Sequence, residues 1–271
     1  MTNHQQTDTV RQPPASAGAR RSRRKPPAAL RTLRLAALAA PLVLVLTVTA
    51  AVPAGARILP PQDTSRVLSL QDTSKNDFFF AGYEARESVT SVSASFTIPK
   101  LTCPNSGMLG VAPGVSLTGG TTTEADVAVL CQNGAPHDVA RMFLNNSPPY
   151  SLPIAINPGD TMAVSVTETP TADMATITDL TRQTSVTKRA SSGASNVVAR
   201  IGDGSVLDNT GLLLGVPPFG SITFSAAKVN GSALGASGPA PVNRTLFSTL
   251  KIFTGALDST GTSFTTNFQH A

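Results

Sequence analysis

The sequence predicts an all-β protein, an antiparallel sandwich or barrel, and three observations carry that prediction. From Asp77 to Ala271 no stretch repeats at the helical period, whereas short β-branched or aromatic runs recur with turn residues between them. Val92, Ala94, Phe96 and Ile98 alternate with Ser91, Ser93, Ser95 and Thr97, the period-two pattern of a strand with one apolar and one wet face. The connections 191–195, 202–220 and 230–243 are rich in Gly, Ser, Pro and Asn. Long surface loops of that kind are where a sandwich keeps its binding function.

Taken in order, the strand around 91–98 is the first clear one, and Pro99 ends it. Segments 126–130, 139–144 and 152–156 are the next candidates. Asn157-Pro158-Gly159-Asp160 is a turn, because Pro fixes φ at the first central position and Gly supplies the positive φ that follows. A further strand sends Met162, Val164 and Val166 inward and Ala163, Ser165 and Thr167 outward. Segments 175–179, 197–201, 222–226, 246–253 and 263–268 complete a series of roughly ten strands without a helix.

Charge divides the chain. Of its 21 Lys and Arg, 8 precede residue 57, beside a single acid, Asp8, so the net +5 is +7 on that leader and −2 on the rest. A polar Arg-bearing stretch to Arg34, an apolar run over 35–51 and Ala54-Gly55-Ala56 form the three parts of a secretory signal cut after Ala56. The alternative is an uncleaved membrane anchor with the folded domain outside, since the apolar run is close to the ~17 residues a span requires. The expected organisation is therefore a signal over 1–56, a flexible Pro-, Gln- and Ser-rich lead-in over 57–76 and a folded domain over 77–271, secreted. A nucleic-acid partner is excluded, because the phosphate-neutralising charge would leave with the leader. Two cysteines in an exported chain pair as one disulfide, here Cys103 with Cys131, closing a loop worth about 3–4 kcal/mol in the chain-entropy model.

Hydrolytic chemistry usually needs histidine, yet only His137 and His270 follow the leader. His137 lies in a polar turn with no nucleophile-elbow sequence near it. No cysteine or histidine spacing suggests a metal, and no cofactor is implied. Carboxylates remain for acid–base work. Glu124 follows Thr121-Thr122-Thr123 and precedes the apolar run to Cys131, and Asp126, two residues on, shares its face of a strand.

Several motifs resemble the glutamic peptidases, or eqolisins, a family of secreted acid endopeptidases. Phe80-Ala81-Gly82-Tyr83 is similar to the family's Trp-Ala-Gly-Tyr opening, and Ser95-Phe96-Thr97-Ile98-Pro99 to its Phe-x-Val-Pro strand. Ile156-Asn157-Pro158-Gly159-Asp160 resembles its Ile-x-Pro-Gly-Asp turn, and Gly261-Thr262-Ser263-Phe264-Thr265 its Gly-x-Ser-Phe-x-Val ending. The resemblance implies a concanavalin-like sandwich of two antiparallel sheets, a monomer, with a polypeptide substrate or ligand in a cleft on a sheet face. It also implies a Glu carboxylate that activates water and a Gln amide that holds the oxyanion.

Here the chain departs from the family. The Gln register falls near Glu124, and the Ala-Glu-Trp-Ile strand matches Ser195-Asn196-Val197-Val198, which puts Asn196 where the carboxylate belongs. There is no tryptophan; Phe80, Met108, Arg141 and Val197 stand at the matching positions. Two expectations follow: an exported binding or cell-surface domain whose peptidase activity is lost or much reduced, or an acid endopeptidase using an exchanged Glu124/Asn196 dyad.

Overall fold

The computed structural model describes residues 74–270 apart from 106, 194 and 195, with the side chains of 196 and 197 also outside the described residues. The leader, its cleavage site and nearly all of the lead-in segment lie outside that range.

Among the described residues the chain forms sixteen strands and one 3-10 turn, Leu234–Ser237. The strands begin β1 (Lys75–Asp77), β2 (Phe80–Arg86), β3 (Ser91–Thr97), β4 (Met108–Gly119), β5 (Thr122–Gln132), β6 (Ala135–Phe143), β7 (Tyr150–Ser151) and β8 (Thr161–Thr169). They continue β9 (Ala172–Asp179), β10 (Thr184–Ser191), β11 (Asn196–Gly204), β12 (Ser221–Val229), β13 (Ser232–Ala233), β14 (Ala240–Leu246), β15 (Thr249–Thr254) and β16 (Phe264–Phe268). The expected all-β sandwich is thus present.

A single hydrogen-bonded path, β10-β9-β8-β3-β12-β16-β15-β14-β2-β11-β4-β5-β6-β7, makes both layers. Its first part folds over its last, so that β3 packs on β4 and β11, β8 on β4 and β5, and β9 on β5 and β6. The β16-β15-β14 run carries the path from one layer to the other. Alternation explains which faces meet. Val92, Ala94 and Phe96 on β3 and Met162, Val164 and Val166 on β8 are buried, while the Ser and Thr between them face outward. Phe96, Phe224 and Phe264 stack through the centre at 5.6 and 5.0 Å, and Tyr83 meets Phe264 edge-on at 4.8 Å. Each such buried ring contributes about 1.5–3 kcal/mol from area alone.

The Cys103–Cys131 disulfide is formed and ties the loop before β4 to the end of β5, with Cα atoms 5.3 Å apart. The Asn157–Asp160 turn forms as expected: Asp160 N–H donates to the Asn157 carbonyl at 3.0 Å and Gly159 has φ 93°. Arg182 then bridges Asp160 and Asp179, locking this turn to the end of β9.

Two expected strands are corrected. Segment 152–156 is not a strand. After Leu152 donates to the Ala140 carbonyl at 2.9 Å, Pro153 has no N–H for a ladder, and the segment crosses between layers with Leu152 and Ile154 pressed into the core. Segment 246–253 is a strand only from Thr249 on, and its first residues are the end of β14 and the turn of a hairpin. Phe247 and Ser248 take φ 48° and 67°, so Leu246 pairs with Thr249 and the chain reverses into β15. The expected connection 230–243 contains β13 and the start of β14, and residues 75 and 76, placed in the lead-in, belong to β1, which pairs in parallel with β14.

Candidate functional site

On β5, Thr123, Ala125, Val127 and Val129 point into the core, so Glu124 and Asp126 face away from it, on the outer side of the β2-β11-β4-β5-β6 layer. Register defines their neighbours. One row runs Phe143–Glu124–Ser116–Arg200–Glu84 across β6, β5, β4, β11 and β2. The adjacent row runs Arg141–Asp126–Gly114–Gly202–Gly82.

Three glycines in that second row leave no side chains over the middle of the layer. A Cβ on Gly202 would overlap the Ala81 carbonyl oxygen, and one on Gly82 the Ile201 carbonyl oxygen, so neither position accepts a larger residue. Beside this bare strip a cleft of about 210 Å³ opens between Phe79, Phe80, Glu124, Arg200, Ser205 and Leu207. Ser205 closes one side by donating from its hydroxyl to the Phe79 carbonyl at 2.8 Å. A second recess of about 300 Å³ adjoins it at Leu207 and runs along Met108, Leu130, Val139 and Arg141.

Asp126 is fully buried and held by Arg141 in a two-pronged pair, with Nε donating to Oδ1 at 2.9 Å and Nη2 to Oδ2 at 2.7 Å. That geometry satisfies both Asp126 oxygens from one guanidinium. Glu124, partly open to the cleft, sits against it and hydrogen-bonds to it. Burial first, then the Asp126 charge and that hydrogen bond, hold the Glu124 carboxyl well above the usual carboxylate range; Arg141 and Arg200 offset only part of this. Glu124 therefore keeps its proton to higher pH than an ordinary glutamate.

Arg200 approaches from the other side of Ser116. Its Nη2 lies 3.2 Å from Glu84 Oε2 and 3.5 Å from Asp77 Oδ2, and its guanidinium stacks 5.1 Å over the Phe80 ring. Glu84 is itself paired with Lys75 at 3.7 Å and with Arg86. The Arg200 Nε is buried without a partner.

The sequence-expected pair divides. Glu124 lies in the cleft. Asn196, at the start of β11, pairs through its backbone with Gly119, whereas the row of Glu124 meets β11 at Arg200, four residues on, about 13 Å along a strand. The Asn196 side chain is outside the described residues. Register therefore does not bring Asn196 into the row of Glu124. Of the positions matching family tryptophans, Phe80 floors the cleft, Arg141 anchors Asp126 and Met108 lines the second recess. His137, on β6 opposite Leu130, is exposed and remote from Glu124 in register.

Arg141 and Arg200 are the residues that sequence reasoning does not assign to the site. The signal for Asp126, an acid two residues from Glu124 on one strand face, is local; the arginines arrive across strands.

The comparisons agree with this architecture. The sequence pattern of the Peptidase A4 family matches residues 79–266. No curated protein sequence matches the chain. Scytalido-glutamic peptidase, solved with a peptide-based transition-state analogue, superposes with TM-score 0.60 at 16% identity, covering 71% of this chain and 99% of that one. SCP-B, described as a member of the eqolisin family of peptidases and solved with the tripeptide Ala-Ile-His, gives 0.57 at 15% identity over 71% and 99%. Aspergilloglutamic peptidase from Aspergillus niger gives 0.52 at 21% identity over 59% and 99%. The pattern match spans more than half of the sequence, and the chain belongs to the Peptidase A4 family, that of the glutamic peptidases.

Proposed function

We propose that this protein is an exported peptide-binding domain on the Peptidase A4 sandwich, with the peptidase chemistry lost or much reduced. The observation that carries the reading is the company Glu124 keeps. Its carboxyl is held well above the usual carboxylate range, by burial first and then by Asp126, and the residue opposite it across Ser116 is Arg200, a cation. A protonated carboxyl in the acidic range can donate a hydrogen bond but cannot take a proton from water, and no Asn or Gln lines the cleft around Glu124 among the described residues. General acid–base help is worth ~10²- to 10⁴-fold, so losing it leaves a binding site. The peptide-shaped ligands of the solved relatives support the choice of ligand class.

The test is digestion of a denatured protein substrate at roughly pH 2 to 4, where carboxyl catalysis operates, beside Glu124→Ala. Wild type and variant should release peptides at the same background rate. Cleavage that disappears in Glu124→Ala would overturn the loss of activity. Export rests on the leader alone, and N-terminal sequencing of protein from culture supernatant should start at or near Arg57; an intact leader confined to membranes would replace export with anchoring.

A further inference from the structure

Resting on that reading, we propose that the cleft selects peptides carrying a carboxylate side chain beside an apolar one. The charges that face Glu124 are few enough to sum. On β5 and β6, Asp126 and Arg141 cancel as a two-pronged pair. On β4, Ser116 is uncharged. From β11 comes Arg200, and beyond it Glu84, Lys75, Arg86 and Asp77 form one connected group with three cations and two anions. Of these groups only Glu124 and Arg200 line the cleft itself, so with Glu124 protonated its one charge is the Arg200 cation, shared with Glu84 and Asp77, and with Glu124 ionised the two oppose each other.

A neutral Glu124 also offers an O–H into the cleft, and Arg200 sits on the far side of Ser116. A carboxylate entering between them meets a hydrogen-bond donor and a cation. An ionised Glu124 presents that ligand with a like charge in the same partly desolvated place. The flanking walls are apolar: Phe79 is 53% exposed and Leu207 51% exposed, both at the cleft edge. Large apolar side chains left open beside a charged floor suit a ligand in which an apolar residue neighbours the acidic one.

Binding should thus have two limits. It weakens below the ordinary Asp value of about 3.9, as the ligand protonates, and again at higher pH as Glu124 ionises. Burial and Asp126 raise the upper limit.

Isothermal titration with two blocked hexapeptides, Ala-Ala-Phe-Asp-Ala-Ala and its Asn counterpart, tests this at about pH 5, above the ordinary Asp value, and at about pH 8. The Asp peptide should bind at least ~10-fold more tightly than the Asn peptide at the lower pH, the scale of a charge-assisted hydrogen bond, and lose that advantage at the higher. Glu124→Gln, which cannot ionise, should keep the preference at both pH values; Arg200→Gln should lose it at both. Equal affinity for the two peptides, or a preference that does not change with pH, overturns this inference while leaving peptide binding intact. Absence of binding by either peptide at either pH overturns the binding reading as well. Mass spectrometry of the cell contents reports cleavage separately.

Discussion

Asp126 illustrates how one residue fixes the state of another. Buried completely, it is tolerable as an anion only because Arg141 meets both of its oxygens. Removing the arginine leaves an uncompensated charge in a dry place, and Arg141→Ala should lower stability by about 3–5 kcal/mol, read as a shift of the urea midpoint without a change of slope. Asp126 adds to the burial that raises Glu124, so Asp126→Asn should bring the Glu124 titration part of the way down. The sequence makes half of this legible. Glu124 and Asp126 are two apart on a strand and must share a face. That Arg141 stands opposite Asp126 and Arg200 opposite Ser116 depends on hairpin lengths and a bulge between Asn196 and Val198, and no local pattern encodes those.

Among the elements, β3 and β8 are plain in the sequence because one face of each is wet, and the Ser/Thr alternation records it. Strand β4 is hidden, since Gly110, Pro113 and Gly114 read as a loop. In the fold, the sheet core covers one face, and the 205–214 segment covers part of the other through Val206 and Leu214, so no alternation survives. Strand β14 is hidden for a different reason: Pro241, Asn243 and Arg244 are polar-turn residues in sequence, yet Asn243 is buried and accepts from Thr254 N–H at 2.8 Å. The β14–β15 turn escapes because Phe247-Ser248 replaces the Asn-Gly signature of such hairpins. Both residues pay a left-handed backbone of about 1 kcal/mol or more. Substituting Asn-Gly there should raise stability by about 1 kcal/mol, measured by thermal unfolding, less the edge contact that Phe247, 87% exposed, makes with the Phe78 ring at 6.0 Å. Gly202→Ala should do the reverse and prevent β2 and β11 from pairing, because its Cβ would overlap the Ala81 carbonyl oxygen. Loss of protection from hydrogen exchange along those two strands is the expected readout.

For the whole molecule, buried carboxyls set the pH at which the fold is most stable. Asp203 is fully buried beside Thr266 and Arg244, and desolvation raises it to about 7; burial likewise raises Asp138 to about 6. Raised values mean stability that is present below the unfolded value of about 4 and lost as pH climbs through the folded ones. Asp179, Asp208 and Asp258 are lowered, the first against desolvation by Arg182 and the others chiefly by threonine hydroxyls, so their contribution fades as pH falls below about 4. The melting temperature should therefore peak in mildly acidic solution and fall toward pH ~8, and Asp203→Asn should flatten that alkaline fall.

A raised Glu124 carboxyl underlies both the proposed loss of peptidase chemistry and the proposed selection of acidic ligands. Carbon-13 NMR of the Glu124 side-chain carboxyl, assigned by its disappearance in Glu124→Gln, follows that proton directly as pH is raised. The expected curve has its midpoint well above the ~4.3 of an ordinary glutamate and moves down in Asp126→Asn. A midpoint at the ordinary value, unchanged by Asp126→Asn, would contradict the raised Glu124 carboxyl and with it the proposed loss of a general base.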